Sequence, residues 1–438
     1  MHASGVTQSR AHAPAPPRVL FPARAPGKGR GAGAVLEPGR VLATVRLEAA
    51  PEARVAWFGA EGGPGRQAAS GPESGPDVTG MIEAALGTGR RDWGDGSWVG
   101  FLSYGLARWI EPASGVADAG GALPLAEFHR IAPGGTRGEP ACDGRRHRPV
   151  LRSESGRGAY VGAVERTLEY IRAGDIYQAN IAHRLAGRFS GRGGALFARL
   201  SAAASPRHGM YYESAPLADG TRVGLVSLSP ELFLSFDART RRLATRPMKG
   251  TRPWGADPAE LRDAEKDRAE LAMIVDLMRN DLGRVCEFGS VRVERAREIE
   301  RHAPGAGGVL QATATVSGVV REGVGAAEIL RATFPPGSVT GTPKIRAMQV
   351  IGELEGFDRG PYCGCIGRFE DDGSFELAVA IRTGVIVGSI DEATGEFEDA
   401  EFSYCVGAGV VADSDPAAEW DETLAKAGVL RGEFDIQA

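Results

Sequence analysis

The sequence predicts an α+β fold: large, mostly antiparallel β-sheets packed as a sandwich, with helices on the outer faces. Three observations carry this. Strands and helices are interspersed, but hairpins dominate, which favours antiparallel pairing over a parallel sheet. Two helical stretches open with the same start signal, an N-cap aspartate followed by proline, at Asp257–Pro258 and Asp415–Pro416. With 438 residues, 42% of them hydrophobic and no repeat of fixed period, the chain has ample material for one large or two ordinary domains.

Taken in order, residues 1–38 read as a disordered tail, because up to residue 36 they hold no acid and are rich in Ala, Gly, Pro and Arg. Residues 39–150 read as a β-rich first part, with strands at 41–49 and 54–60 and a strand-then-turn at 97–111. The Gly/Pro-rich stretch Pro112–Pro149 reads as a seam. Residues 151–433 form the second region. Gly158–Arg172 has helical period, and from Ile176 the chain alternates, with Gln178, Asn180 and Ala182 on one face. Strands follow at Arg222–Ser229 and Leu232–Asp237, split by Ser229–Pro230–Glu231.

Next comes a loop punctuated by Pro247, Gly250 and Pro253, then one long helix from Pro258 to Gly283. Asp257 caps it, Glu260 is placed for a capping box, and Leu261, Ala264, Leu271, Ile274, Val275 and Met278 give the apolar period. Strands at Ser290–Glu294 and Val309–Val320 precede a turn-rich loop that feeds a helix near Pro343. Strands Tyr362–Glu370, Phe375–Val387 and Glu401–Val411 lead to the last helix.

Composition excludes several classes. A net charge of −5 gives no basic footprint for nucleic acid. No apolar run reaches the length of a membrane span. Five cysteines, odd in number, point to a reducing, cytoplasmic setting without a disulfide framework. The scattered histidines offer no zinc pattern, and neither a P-loop nor a dinucleotide fingerprint is present.

The lysines are informative because they are rare. Of 51 basic residues only five are lysine: Lys28, Lys249, Lys266, Lys344 and Lys426. An arginine stays protonated, whereas a desolvated lysine can lose its proton and act as a nucleophile. Lys249, between breakers, is the strongest candidate. On the helix that follows it, Asp263, Asp267 and Glu270 share a face; on the last helix Glu419 and Glu422 do so, with Lys426 one turn on. These are either solvated faces or a site for a hard cation such as Mg²⁺. Arg382 is a charge inside an apolar strand, either half of a buried ion pair or a clamp for a substrate carboxylate. Glu231, between apolar runs, is suited to a raised pKa and general-acid work. The glycines of Val406–Val411 let backbone amides approach a ligand.

Eight ordered blocks carry a resemblance. They are GDIYQANIA from Gly174, SPELF from Ser229, PMKGTRPWG from Pro247, KDRAELAMIVDLMRNDLGRV from Lys266, GSVTGTPKIRAMQVI from Gly337, GPYCGCIG from Gly360, AIRT from Ala380 and VGAGVVADSDPAAEWDETLAKA from Val406. Together they resemble the chorismate-utilising enzymes, the family of anthranilate synthase, aminodeoxychorismate synthase and isochorismate synthase large subunits. The match covers roughly residues 155–432, and 40–110 more weakly.

The resemblance implies that Glu270 and Glu422 hold Mg²⁺, with Asp267 and Glu419 nearby, and that the metal holds the ring carboxylate of chorismate. It implies that Tyr362 and Arg382 clamp the enolpyruvyl carboxylate, helped by the amides of Gly407 and Gly409. Ser338, Lys426, Gln178 and Thr251 become further substrate contacts, and Glu231 the acid that protonates the departing C4 hydroxyl. Gln178 stands where isochorismate-forming members carry a water-activating lysine. Lys249 stands in the slot that marks the C4-aminating branch, where the lysine adds to C2 before ammonia attacks C4. That branch implies p-aminobenzoate and folate, or a related secondary pathway.

Two departures accompany the match: Gln311 where the family usually has a histidine tied to pyruvate elimination, and Arg368 in place of a usual tyrosine. No glutaminase pattern is present, so the ammonia is expected from a separate glutamine amidotransferase subunit.

Overall fold

The computed structural model describes residues 148–302 and 309–437 without a break. Before them it describes 19–22, 35–37, 41–48, 54–59, 64–68, 78–87, 95–116, 123–132 and 136–138. Among the described residues, two sheets of twelve strands each make up the body, and every pairing is antiparallel except Asp435–Gln437 beside Val150–Ser153. No described helix is long and apolar enough to cross a membrane.

The elements that build the site are, in chain order, β1 Gln178–Gly191, β2 Arg222–Ser229, β3 Leu232–Asp237, β4 Met248–Pro253, α1 Pro258–Asp263 and α2 Glu265–Gly283. They continue with β5 Val309–Val319, α3 Lys344–Leu354, β6 Cys365–Glu370, β7 Phe375–Val379, β8 Thr383–Gly388, β9 Glu396–Val410 and α4 Pro416–Ala427. The first sheet runs Val150–Ser153, β1, β9, β8, β2, His208–Glu213 through its middle. The second starts at β4 and runs through β5, Arg242–Arg246, β3, β7 and β6 into Ser97–Leu102.

The sheets face each other across an apolar layer. Val99, Phe101, Ile366 and Ala378 meet Met210, Tyr212, Val223, Leu225 and Val385. On the first sheet, helices pack through Tyr160, Val164, Val350, Ile351 and Trp420; on the second, α2 packs through Leu271, Ile274 and Met278. This is the sandwich expected from the dominance of hairpins.

Several elements differ from expectation. The long helix is two: Ala264 is extended, at φ −61° and ψ 110°, and the bend lets Leu261 and Leu271 enter the same core. Asp263 therefore ends α1 and does not lie on the same helix as Asp267 and Glu270. Asp257 caps α1 by accepting from the Ala259 amide. The Pro247–Pro253 loop is largely β4, an edge strand paired with β5 whose register slips at Gly250, φ 73°. The supposed seam contains Ala126–Ile131, buried throughout and paired between Val41–Glu48 and Ser97–Leu102. The first part of the chain thus shares the second sheet with the rest. Inside the stretch read as a tail, Val19–Pro22 extends the first sheet by pairing its backbone with Tyr211 and Tyr212. Most of the remaining tail lies outside the described residues, as does Cys142.

The most consequential difference is at Phe375–Val387, which is two strands in two sheets. β7 belongs to the second sheet and β8 to the first, and the chain crosses between them at Ala380–Arg382. It makes the opposite crossing at Pro230–Glu231, between β2 and β3. The crossings are stitched together. The Val379 amide donates to the Glu231 carbonyl at 3.0 Å, Ser229 Oγ donates to the Val379 carbonyl at 2.6 Å, and the Leu228 amide donates to the Arg382 carbonyl at 2.9 Å.

Candidate active site

The double crossing places Glu231 and Arg382 side by side. Arg382 holds φ 50°, a left-handed backbone uncommon for arginine. It is thus a corner residue and not a strand residue. Among the described residues its guanidinium has no ion pair or hydrogen bond; burial lowers its pKa, against the influence of Tyr404 and Glu231. Glu231 is 3% exposed. Burial pushes its pKa up to about 7, opposed by Ser338, Lys249 and Arg382. At neutral pH a substantial share of this carboxyl keeps its proton.

Lys249 reaches in from β4 to the floor formed by β1 and β9. A Cβ built on Gly409 would lie 3.0 Å from Lys249 Nζ and 2.7 Å from Gln178 Nε2. Burial lowers the Lys249 pKa, opposed chiefly by Glu270 and assisted by the charge of Lys426. Gln178 is wholly buried, yet neither end of its amide has a partner. Asn180 Nδ2 and the Tyr404 hydroxyl are orphaned too. Buried polar atoms without partners are uncommon and costly, so several in one cleft mark a place where a polar ligand completes the structure.

The acidic residues sort into two kinds. Asp267 is bound to Arg252 at 2.8 Å, and buried Glu419 accepts from Ser414 at 2.6 Å with Lys266 at 3.6 Å. Glu270 and Glu422 both act on the charge of Lys249. Burial raises the pKa of Glu270, with Lys249 and Lys266 opposing and the Glu422 charge adding to it. For Glu422 burial is outweighed by Lys426, 2.7 Å away, so its pKa falls. Among the described residues no three His, Cys, Asp or Glu side chains form a metal-holding cluster by themselves. Magnesium asks for less, one or two carboxylates with substrate and water completing the shell, and Glu270 and Glu422, whose charges act on each other, are carboxylates of the kind that would serve.

The remaining expected residues fall around this centre. Lys426 Nζ donates to the Gly407 carbonyl at 2.8 Å, and a Cβ on Gly407 would lie 2.9 Å from the Tyr362 hydroxyl. Ser338 sits in a short turn, buried, against Glu231. Thr251 is exposed and accepts from Gln311 Nε2 at 3.3 Å, while Gln311 Oε1 is buried without a partner. Sequence reasoning missed Tyr404 and Arg252. Tyr404 lies inside the expected strand Glu401–Val411, with no signal to single it out, and Arg252 was hidden among 46 arginines.

The family model for chorismate binding enzymes matches residues 137–432, and this match spans every residue of the cleft. The chain belongs to that family. This chorismate-binding enzyme is 44% identical over 274 residues to "Anthranilate synthase component 1" of Streptomyces coelicolor, covering 61% of this chain and 49% of the relative. It is 36% identical over 391 residues to "Anthranilate synthase component 1 1" of Haloarcula marismortui, covering 77% and 75%. It is 44% identical over 215 residues to "Aminodeoxychorismate synthase" of Streptomyces griseus, covering 48% and 28%. The chain spans about half the length of the first curated relatives it matches. In fold it is similar to anthranilate synthase component I from Streptococcus pneumoniae, with TM-score 0.68, 21% identity and coverage of 97% and 94%.

Proposed function

We propose that this chorismate-binding enzyme is an aminodeoxychorismate synthase component I. On this reading it converts chorismate and ammonia to 4-amino-4-deoxychorismate, for p-aminobenzoate and folate or a related secondary pathway. The observation that carries the reading is the Lys249 amine in the cleft, over Gly409 and beside Gln178, with its pKa lowered by burial. An arginine in that place would be a fixed cation; a partly deprotonated lysine is a nucleophile.

Arg382 and Tyr362 hold the enolpyruvyl carboxylate, and the glycines of β9 bring backbone close to it. Glu270 and Glu422 would hold Mg²⁺, which would supply a positive charge for the ring carboxylate. Lys249 Nζ adds to C2 while the C4–oxygen bond breaks, and Glu231 gives its proton to the leaving oxygen, which departs as water. The ammonium formed on Lys249 returns its extra proton to the Glu231 carboxylate, ammonia attacks C4, and the C2–lysine bond breaks as a proton passes from the attacking nitrogen to the lysine nitrogen, restoring the free amine. Ammonia comes from a separate glutamine amidotransferase subunit.

The names of the relatives favour a second reading, anthranilate synthase component I, in which ammonia attacks C2 and pyruvate is eliminated. Product identification decides between them. The chain is incubated with chorismate, Mg²⁺ and ammonium at pH 8, with and without an added aminodeoxychorismate lyase. Conversion to p-aminobenzoate with the lyase supports the proposal, and anthranilate with pyruvate overturns it.

A further inference from the structure

Arg359 lies behind the cleft, 4% exposed, and touches three of its walls. Its guanidinium is paired with Glu355, each side chain 2% exposed, at 2.6 Å from Nη2 to Oε1 and 2.8 Å from Nε to Oε2. The same fork donates from Nη2 to the Asn180 carbonyl at 2.7 Å and from Nη1 to the Val339 carbonyl at 3.3 Å. Glu355 Oε1 also accepts from the Ala182 amide at 2.8 Å. The plane sits 4.8 Å from the centre of the Tyr104 ring and 5.6 Å from that of Tyr362.

Each backbone group bonded by Arg359 or Glu355 adjoins a residue of the site. Asn180 is the register partner of Gly409, and Ala182 is the partner of Gly407. Val339 follows Ser338, which faces Glu231. Tyr362 points at Gly407. We propose that Arg359 is a positioning residue that, with Glu355, fixes β1, the Ser338 turn and Tyr362 relative to one another.

The inference rests on the chorismate chemistry proposed above. A planar fork with five donors can serve Glu355 and two carbonyls on different elements at once; an ammonium, a single donor atom, cannot reach all of them. A site whose groups must hold their places within about half an ångström depends on such support.

The test compares Arg359→Lys with Arg46→Lys. Arg46 is also fully buried, paired with Glu127, and bonds the carbonyls of Ala215 and Pro216, none of them a residue of the site. Melting temperature, chorismate affinity by calorimetry, and KM and kcat with ammonium are measured for each. Arg359→Lys is expected to raise the chorismate KM at least about tenfold and to lower kcat, more than its loss of melting temperature accounts for. Arg46→Lys, at comparable loss of melting temperature, keeps KM within about twofold. Glu355→Gln, which retains an acceptor for the Ala182 amide, shifts KM in the same direction by less. It also keeps the test available if Arg359→Lys does not fold. Unchanged KM and affinity in a folded Arg359 or Glu355 variant overturn this inference alone. A wild type that neither binds nor consumes chorismate overturns the functional reading, and this inference with it.

Discussion

Lys249 and Gly409 meet where the edge of one sheet closes over the middle of the other, with room for the amine only because residue 409 has no Cβ. The Lys249 strand slips register beside it, at Gly250, which aims the side chain inward.

The first prediction follows from that contact. A methyl group on residue 409 would sit against both Lys249 Nζ and Gln178 Nε2. Gly409→Ala should therefore leave a folded protein whose kcat/KM for chorismate falls by about two orders of magnitude, in keeping with about an ångström of misplacement at a reacting group. Steady-state kinetics beside a thermal melt check this, and wild-type kinetics in the variant would remove Lys249 from the reaction.

The second concerns pH. Glu231 must hold its proton and Lys249 must lose one, so kcat should pass through an optimum, limited on its acid side by the protonated lysine and on its alkaline side by ionised Glu231, whose pKa burial pushes up to about 7. Glu231→Gln should abolish the alkaline fall and lower kcat by about two orders of magnitude or more. Stability carries the same sign. The folded state binds Glu231's proton more tightly than the unfolded chain does, so this group's stabilisation is full below the usual carboxylate range and is lost as pH climbs towards 7. The loss is of order 3 kcal/mol, and Glu231→Gln should be free of it. Melting curves from pH 4.5 to 8 for both proteins test this; parallel curves would contradict it.

Much of this site was legible because its residues announce themselves chemically. Lys249 stood out against 46 arginines, Glu231 interrupted an apolar run, and the two Asp–Pro starts located α1 and α4. What could not be read was the path between sheets. A run such as Phe375–Val387 is apolar whether it stays in one sheet or changes sheets, and only the corner at Arg382 tells the two apart. The bend at Ala264 was hidden for a similar reason: alanine suits a helix, and tertiary packing of Leu261 decided otherwise. Arg359 was missed because a buried brace has no periodicity of its own.

The third prediction is metal dependence. Glu270 is held at a raised pKa by burial despite the neighbouring lysines, and a divalent cation between it and Glu422 would favour its charged form. Activity should vanish in excess chelator and return with Mg²⁺. Glu270→Gln should need at least about tenfold more Mg²⁺ for half-maximal rate, the size of effect expected when a metal site loses support. Full turnover in excess chelator would refute the assignment of both carboxylates.

The last prediction is a covalent bond between Lys249 and the substrate ring. The amine is desolvated, flanked by Glu231 and Glu270, and sits over the β9 glycines, so a bound ring would meet it without diffusion. Lys249→Arg keeps the charge and similar bulk but presents a guanidinium that stays protonated, and it should lose C4 amination by a factor of about a thousand or more. Lys249→Ala removes the nucleophile and opens space beside Gly409, and slow direct amination at C2 is the expected residual activity. Intact-mass spectrometry of the wild type, quenched with chorismate and Mg²⁺ but no ammonia, should show an adduct that peptide mapping places on Lys249 and that is absent from both variants. If Lys249→Arg yields 4-amino-4-deoxychorismate at the wild-type rate, the lysine holds the substrate's charge and does not bond to its ring.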